Sequence, residues 1–230
     1  MSLNGIKLIA FDLDGTLLDS VPDLAVAADQ AVQELGFASV SEEQVRDWVG
    51  NGADVLISRA LSQSIQIDSN LSPEIIQEAR IKFDDYYEKG GHKLSHLYAN
   101  VRDTLVKLKA AGYTLALVTN KPSKFVPEVL EQHQLSELFS DVLGGDAFPE
   151  KKPDPVALNW LLQKHGVKAD EMLMVGDSKN DILAAQNAGC HSFALTYGYN
   201  HGEPISDAKP DFVADNIAEI LNIVPVAEYS

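Results

Sequence analysis

The chain has 230 residues, 45% of them hydrophobic, which suits one large domain or one domain carrying a smaller insert. Its 18 Lys and Arg stand against 34 Asp and Glu, a formal charge of -16, so general attraction to nucleic acid or anionic lipid is excluded and an anionic ligand needs local groups to draw it in. The one cysteine, Cys190, excludes an intrachain disulfide and a paired-cysteine metal site. The first residues, MSLNGIKLIA, lack a basic segment followed by a long apolar core, and no run reaches the ~18 apolar residues of a membrane span. A cytoplasmic protein with no membrane partner is the expectation.

The first element is a β-type run, IKLIAFD (6–12), that leads straight into DGTLL. From about residue 18 to 92 the pattern turns helical: PDLAVAADQAVQELG, SEEQVRDWVG, GADVLISRALSQ and SPEIIQEARIKFDDYYEKG, opened by Ser, Asp or Pro. KGGHK, with Gly90 and Gly91, reads as the return hinge of this insertion. A helix follows in NVRDTLVKLKAAGY, with Asn100 as N-cap and Gly112 as its stop, and then the strands TLALVTN (114–120) and FSDVLGG (139–145). The helix of PDPVALNWLLQKHG ends at Gly166, the strand EMLMVGD spans 171–177, NDILAAQNAG closes at Gly189, and HSFALT (191–196) is the last strand. Strands that are apolar throughout are covered on both faces, and their alternation with helices predicts an α/β fold with a parallel sheet. The expected division is a core of 1–17 and 93–230 with a helical domain at 18–92 inserted in it.

In an open parallel sheet, ligands bind at the carboxyl ends of the strands. Asp12, Thr119 and Asp177 each end a β-type run and Lys152 just precedes a helix, so four distant segments converge on one edge. Asp12 and Asp14, two positions apart, would point to one side of an extended backbone. With Asp177 close by, three negative charges share a pocket. That raises carboxylate pKa values unless a cation compensates, and an all-oxygen donor set selects a hard ion, Mg²⁺, seated between Asp12 and Asp14. One Asp12 oxygen then remains to attack phosphorus, and Asp14 serves as acid and base. Lys152, the Thr119 hydroxyl and the backbone N–H groups around Gly15 and Thr16 hold the phosphoryl charge, while Asp181 orients a metal-bound water or the lysine. Asn120 either binds the phosphate or caps the next turn. In the insertion, Asn51 and the glycines of VGNGAD bare N–H groups suited to a substrate carboxylate, with Arg59 on the same helix; an ordinary turn between helices explains the loop equally well. The six histidines show no ligand spacing and read as surface or locally hydrogen-bonded residues, and Trp48 and Trp160 as core.

In order along the chain, D-x-D-G-T (Asp12 to Thr16), a strand ending in Thr119, K-P-x-P (Lys152 to Pro155) and G-D-x-x-x-D (Gly176 to Asp181) resemble the four motifs of the haloacid dehalogenase superfamily, in its phosphatase branch. The resemblance covers essentially the whole chain. It implies a Rossmann-like core with a small α-helical cap as the insert. WVGNGADVLISRAL, LVTNKP and LTYGYNHGEPI are similar to stretches of bacterial phosphoglycolate phosphatases, although EKKPDPVAL is shorter than the K-P-x-P-x-P run of that group. The K-P-x-P register assigns Lys152 rather than Lys151 to the site. What this implies is Mg²⁺-dependent hydrolysis of 2-phosphoglycolate, a small phosphate ester, with the metal on Asp12, the Asp14 backbone carbonyl and Asp177. A phosphatase for another metabolite, such as a sugar phosphate or pyrophosphate, would carry the same core motifs. A phosphate-accepting switch also combines Asp, Thr, Lys and Mg²⁺, but the second acid of D-x-D and Asp177 speak against it. Oligomeric state is left open.

Overall fold

The computed structural model describes residues 3–225. In chain order the elements are β1 (Leu8–Phe11), β2 (Leu18–Asp19), α1 (Val21–Glu34), α2 (Glu42–Trp48), α3 (Ala53–Ser62), α4 (Pro73–Gly90), β3 (His96–Leu97), α5 (Val101–Ala110), β4 (Thr114–Val118), α6 (Val126–Gln132), β5 (Asp141–Leu143), α7 (Val156–His165), β6 (Met172–Gly176), α8 (Lys179–Ala188), β7 (His191–Leu195) and β8 (Phe212–Ala214). Six strands form one parallel sheet in the order β5-β4-β1-β6-β7-β8. Strand order reverses at β1, because the chain builds β4 and β5 on one side of it and β6 to β8 on the other. This is the topological switch point of a doubly wound sheet, and it lies between the carboxyl ends of β4, β1 and β6.

The continuous apolar runs divide by alternation. Ile9, Phe11, Leu115, Leu117, Leu173 and Val175 face one cluster with α5 and α6, whereas Leu8, Ala10, Ala116, Val118, Met172 and Met174 face another with α7 and α8. Successive side chains of a strand point to opposite faces, so burial on both sides requires an uninterrupted apolar run.

Helices α1 to α4 pack around another cluster in which Trp48, Leu56, Phe83 and Tyr87 are buried and which Phe125 and Tyr199 of the sheet side join. Local signals delimit them. Ser41 and Gln44 form a reciprocal capping box at α2, and Ser72 caps α4 with Pro73 in its first turn. The two passages of chain between these helices and the sheet pair with one another: β2 and β3 run antiparallel, Leu18 opposite Leu97 and Asp19 opposite His96. The return passage therefore extends beyond KGGHK. Asp23, buried at the start of α1, ties it down by accepting from the N–H groups of Leu94 and Ser95 at 3.0 and 2.6 Å and from the Ser95 hydroxyl at 2.6 Å.

Asn100 is the N-cap residue of α5, as expected, its carbonyl accepting the Thr104 N–H at 3.0 Å, but its side chain makes no cap bond; it sits at φ 65°, a conformation Asn tolerates, and its amide donates to Asn216 Oδ1 at 3.2 Å. Two expectations are corrected. His92 is neither on the surface nor hydrogen-bonded through its ring: it is fully buried, both ring nitrogens lack hydrogen-bond partners, and it stands edge-on to Tyr87 with centroids 4.5 Å apart. Burial, with the Lys121 charge adding to it, holds His92 below the usual histidine range. The sequence also offered no strand at β8, which has only three residues.

Candidate active site

The carboxyl ends of β1, β4 and β6 supply the acids. Asp12 directly follows β1 and donates its N–H to the Val175 carbonyl on β6 at 3.0 Å; Asp177 directly follows β6; Thr119 follows β4. After Asp12 the chain turns tightly: the N–H groups of Leu17 and Leu18 return to the Leu13 carbonyl, and that of Gly15 reaches the Leu18 carbonyl. Gly15 makes the turn possible. Its φ is +88°, and a Cβ there would strike the Asp177 carboxylate and the Tyr199 ring.

Asp177 is held from both sides, its Oδ1 accepting the Thr16 hydroxyl at 2.6 Å and its Oδ2 the Tyr199 N–H at 2.6 Å. Lys152, its side chain 2% exposed, donates to the Val118 carbonyl at 2.6 Å and to Asp181 Oδ1 at 2.7 Å. Its Nζ also lies 2.9 Å from Asp12 Oδ1, an ion pair whose angles fall outside hydrogen-bond geometry, so that oxygen is buried without a hydrogen bond. Asp181 Oδ2 accepts the N–H and hydroxyl of Ser178, which fixes this acid at the first turn of α8. One carboxylate oxygen from each of Asp12, Asp177 and Asp181 lies within 4.8 Å of the other two.

This crowding has electrostatic consequences. Burial, reinforced by Asp181 and Asp14 and opposed by Lys152, pushes Asp12 from its ordinary 3.8 to about 7. Burial, with Asp181 and Asp12 adding like charge, also holds Asp177 well above the carboxylate range. Desolvation works against the Lys152 ammonium, but Asp12 and Asp181 outweigh it and its pKa rises. Lys152 balances one of the three acids. A divalent cation would neutralise the rest, and an oxygen-only donor set of this kind suits a hard ion.

The placement of the other expected residues is mixed. The Asp14 carboxylate does not join Asp12 around a metal: the extended backbone ends at the turn, so spacing by two no longer puts side chains on one face, and Asp14 instead pairs with Lys121 Nζ at 3.1 and 3.3 Å. The N–H groups of Gly15 and Thr16 are committed to backbone carbonyls and the Thr16 hydroxyl to Asp177; those of Leu13 and Asp14 have no acceptor among the described residues. Asn120 braces neighbouring loops, donating to the carbonyls of Gly50 and Lys152 at 3.0 Å each and accepting the Lys152 N–H at 3.1 Å. Arg59 is turned back on its own loop, its guanidinium donating to the carbonyls of Trp48 and Ile65 and to Asn51 Oδ1 at 2.6, 3.1 and 3.1 Å. Neither Asn51 nor Arg59 lines the cleft between helices and sheet. Lys151 approaches Gly52 while Lys152 reaches Asp12, as the register assigned.

The sequence reading missed Lys121, Tyr87 and Tyr199. Asp12, Asp14, Thr119 and Lys121 face the apolar Leu24, Phe83 and other residues across a narrow cleft. From α4, the Tyr87 hydroxyl accepts from Lys121 at 2.7 Å, joining the helical layer to the sheet. The one signal for Lys121 was its position two residues beyond a strand-ending threonine.

Comparison with known proteins agrees with this architecture. Residues 9–195 match the model of the haloacid dehalogenase-like hydrolases. The chain is 72% identical over 227 residues to a phosphoglycolate phosphatase of Vibrio parahaemolyticus, covering 99% of this chain and 100% of that one. It is 70% identical over 225 residues to that of Vibrio cholerae, covering 98% and 100%. The crystal structure of a protein from Haemophilus somnus, described as a predicted phosphoglycolate phosphatase, superimposes with a TM-score of 0.90 at 44% identity, covering 96% of this chain and 99% of that one. With the four motifs converging at the switch point of the sheet, these matches show that the chain belongs to the haloacid dehalogenase-like hydrolase family.

Proposed function

We propose that this chain is a Mg²⁺-dependent phosphatase that hydrolyses 2-phosphoglycolate to glycolate and phosphate through an aspartyl-phosphate on Asp12. The observation that carries the chemistry is the buried Asp12 carboxylate, which lines the cleft, lies 2.9 Å from Lys152 and is grouped with Asp177. Relatives about 70% identical over their full length and bearing that activity in their names support the substrate.

Asp12 and Asp177, which end neighbouring strands, would hold the ion, with Asp181 beside them tied to Lys152 and Ser178. When bound, Mg²⁺ supplies charge neutralisation for the phosphoryl oxygens. An Asp12 oxygen attacks phosphorus, the bond from phosphorus to the glycolate oxygen breaks, and Asp14 gives that oxygen its proton. In the second half Asp14 takes a proton from water as the water oxygen attacks the aspartyl-phosphate, which releases inorganic phosphate and restores Asp12. Lys152 holds the Asp12 carboxylate in place, and the free N–H groups of Leu13 and Asp14 meet phosphoryl oxygens. Helices α1 to α4 act as the cap that covers the cleft.

Phosphate release tests the reading, with 2-phosphoglycolate set beside sugar phosphates, nucleotides, pyrophosphate and an aryl phosphate, each with Mg²⁺ and with chelator. The expected result is a metal-dependent kcat/KM for phosphoglycolate about a hundredfold above the rest, or about 2.7 kcal/mol of discrimination. An even spread over the panel would remove the named substrate and leave the chemistry; release that persists in chelator would remove the metal.

A further inference from the structure

Lys121 is the one Lys, Arg or His among the described residues that line the cleft. Its side chain is 3% exposed, and an ammonium so buried needs all three N–H groups occupied. One goes to the Tyr87 hydroxyl at 2.7 Å. The Asp14 oxygens, at 3.1 and 3.3 Å, belong to one carboxylate and lie too close together, seen from the nitrogen, to take two tetrahedrally diverging bonds; they share one. The third N–H has no acceptor among the described residues. Desolvation opposes the charge, but Asp14 and Tyr87 outweigh it, so Lys121 stays protonated.

Away from the edge held by Asp12, Asp14, Thr119 and Asn120, the wall that Lys121 and Tyr87 share is apolar, with Leu24, Leu56, Phe83 and Phe125. Such a wall leaves a second polar group of the substrate one strong partner. The start of α3, where Gly52 and Ala53 also line the cleft, puts the positive end of a helix on the same space. Asn51 and Arg59, which the sequence offered for this task, are turned into their own loop.

We infer that Lys121 is the specificity-determining residue of the cleft, its unoccupied N–H receiving the substrate's carboxylate while Tyr87 fixes the ammonium from the cap. The inference rests on the reading of the substrate as 2-phosphoglycolate and adds the group that recognises it.

The test is calorimetric binding, in the presence of Mg²⁺, of 3-phosphonopropionate, a non-hydrolysable carboxylated analogue, and of propylphosphonate, which lacks the carboxylate. Parent protein, Lys121→Gln and Lys121→Arg are compared, and turnover of 2-phosphoglycolate and ethyl phosphate is measured alongside. Losing a charge-assisted hydrogen bond should cut the parent's preference for the carboxylated ligand by about tenfold to a hundredfold in Lys121→Gln, and Lys121→Arg should restore part of it. If Lys121→Gln weakens both ligands equally, Lys121 serves only to position Asp14 and the inference falls. A parent that prefers phosphoglycolate, together with a K121Q protein that keeps the preference, also refutes the inference and leaves the substrate reading intact. A parent with no preference between phosphoglycolate and ethyl phosphate refutes both. Should the variants not fold, a crystal structure of the parent with 3-phosphonopropionate decides: a carboxylate within 3.5 Å or so of Lys121 Nζ is the expected result, by ordinary hydrogen-bond criteria, and a carboxylate seated elsewhere overturns it.

Discussion

Replacing Asp12 by Asn should abolish turnover and, in metal-free protein, increase stability in a pH-dependent way. The Asp12 carboxyl moves from an ordinary 3.8 to about 7 on folding, chiefly by burial, and Asn keeps the shape without the charge. A carboxyl raised in the folded state contributes stability that is fully present below the unfolded value and is lost as pH climbs toward the folded one. At about 1.4 kcal/mol for each tenfold change in proton affinity, the loss totals roughly 4 kcal/mol by pH 7.5, of which about 2.5 falls between pH 5 and pH 7.5. For a chain of this size that corresponds to a gap in melting temperature widening by about 5 to 10 °C in favour of Asp12→Asn over the same interval. Thermal unfolding of both proteins in chelator, at several pH values from 5 to 8.5, measures it. A gap that stays constant with pH would refute the claim that Asp12 is buried among like charges with only Lys152 to offset them. Adding Mg²⁺ should close the gap by stabilising the parent more than the variant.

Asp177→Asn should raise the Mg²⁺ concentration needed for half-maximal activity by about tenfold or more, and an unchanged metal titration would remove Asp177 from the ion's site. Gly198→Ala should have a similar effect at a distance from the ion, because a Cβ there strikes Asp177 and the Gly15 carbonyl; Gly90→Ala, whose Cβ meets nothing within 4 Å, should leave the titration alone and add up to about 1 kcal/mol of stability in denaturant unfolding. Asn180→Ala removes one of the two core amides that hold the Gly50 carbonyl, the other being Asn120, at 3.3 and 3.0 Å. Weaker closure by about 0.5 to 1.5 kcal/mol should raise KM roughly twofold to tenfold with little change in kcat, and an unaltered KM would detach this contact from closure.

Much of the sheet could be read from residues alone because its strands are buried on both faces, and runs such as LIAF and MLMVG carry that signature without help from neighbours. The strand-end positions of Asp12, Thr119 and Asp177 followed from the same runs. What could not be read depended on where backbone and side chain point once the strand stops. Asp14 belongs to a turn, so its partner is a lysine more than a hundred residues away. Arg59 and Asn51 looked free because a sequence does not display the loop carbonyls that engage the guanidinium. Tyr87 has helix spacing and an apolar environment, and only its hydroxyl, one atom in contact with Lys121, separates it from an ordinary core aromatic. β2 and β3 have two residues each, too short for any periodicity to register.

The side-by-side pairing of β2 with β3 makes the helical insert a cassette. Both places where the chain leaves and re-enters the sheet domain lie on adjacent strands, Leu18 across from Leu97. The segment between them packs around a cluster that Phe125 and Tyr199 of the sheet side complete, so an exchange at two neighbouring cut points crosses no strand of the six-stranded sheet but must preserve those two contacts. Grafting residues 20–95 from a relative that acts on another ester would exchange Tyr87, Leu24, Leu56 and Phe83 while leaving Asp12, Lys121, Phe125, Lys152 and Asp177 where they are. The helical side of the cleft would thus change as one unit, while the Lys121 charge and the bond-breaking groups stay with the sheet.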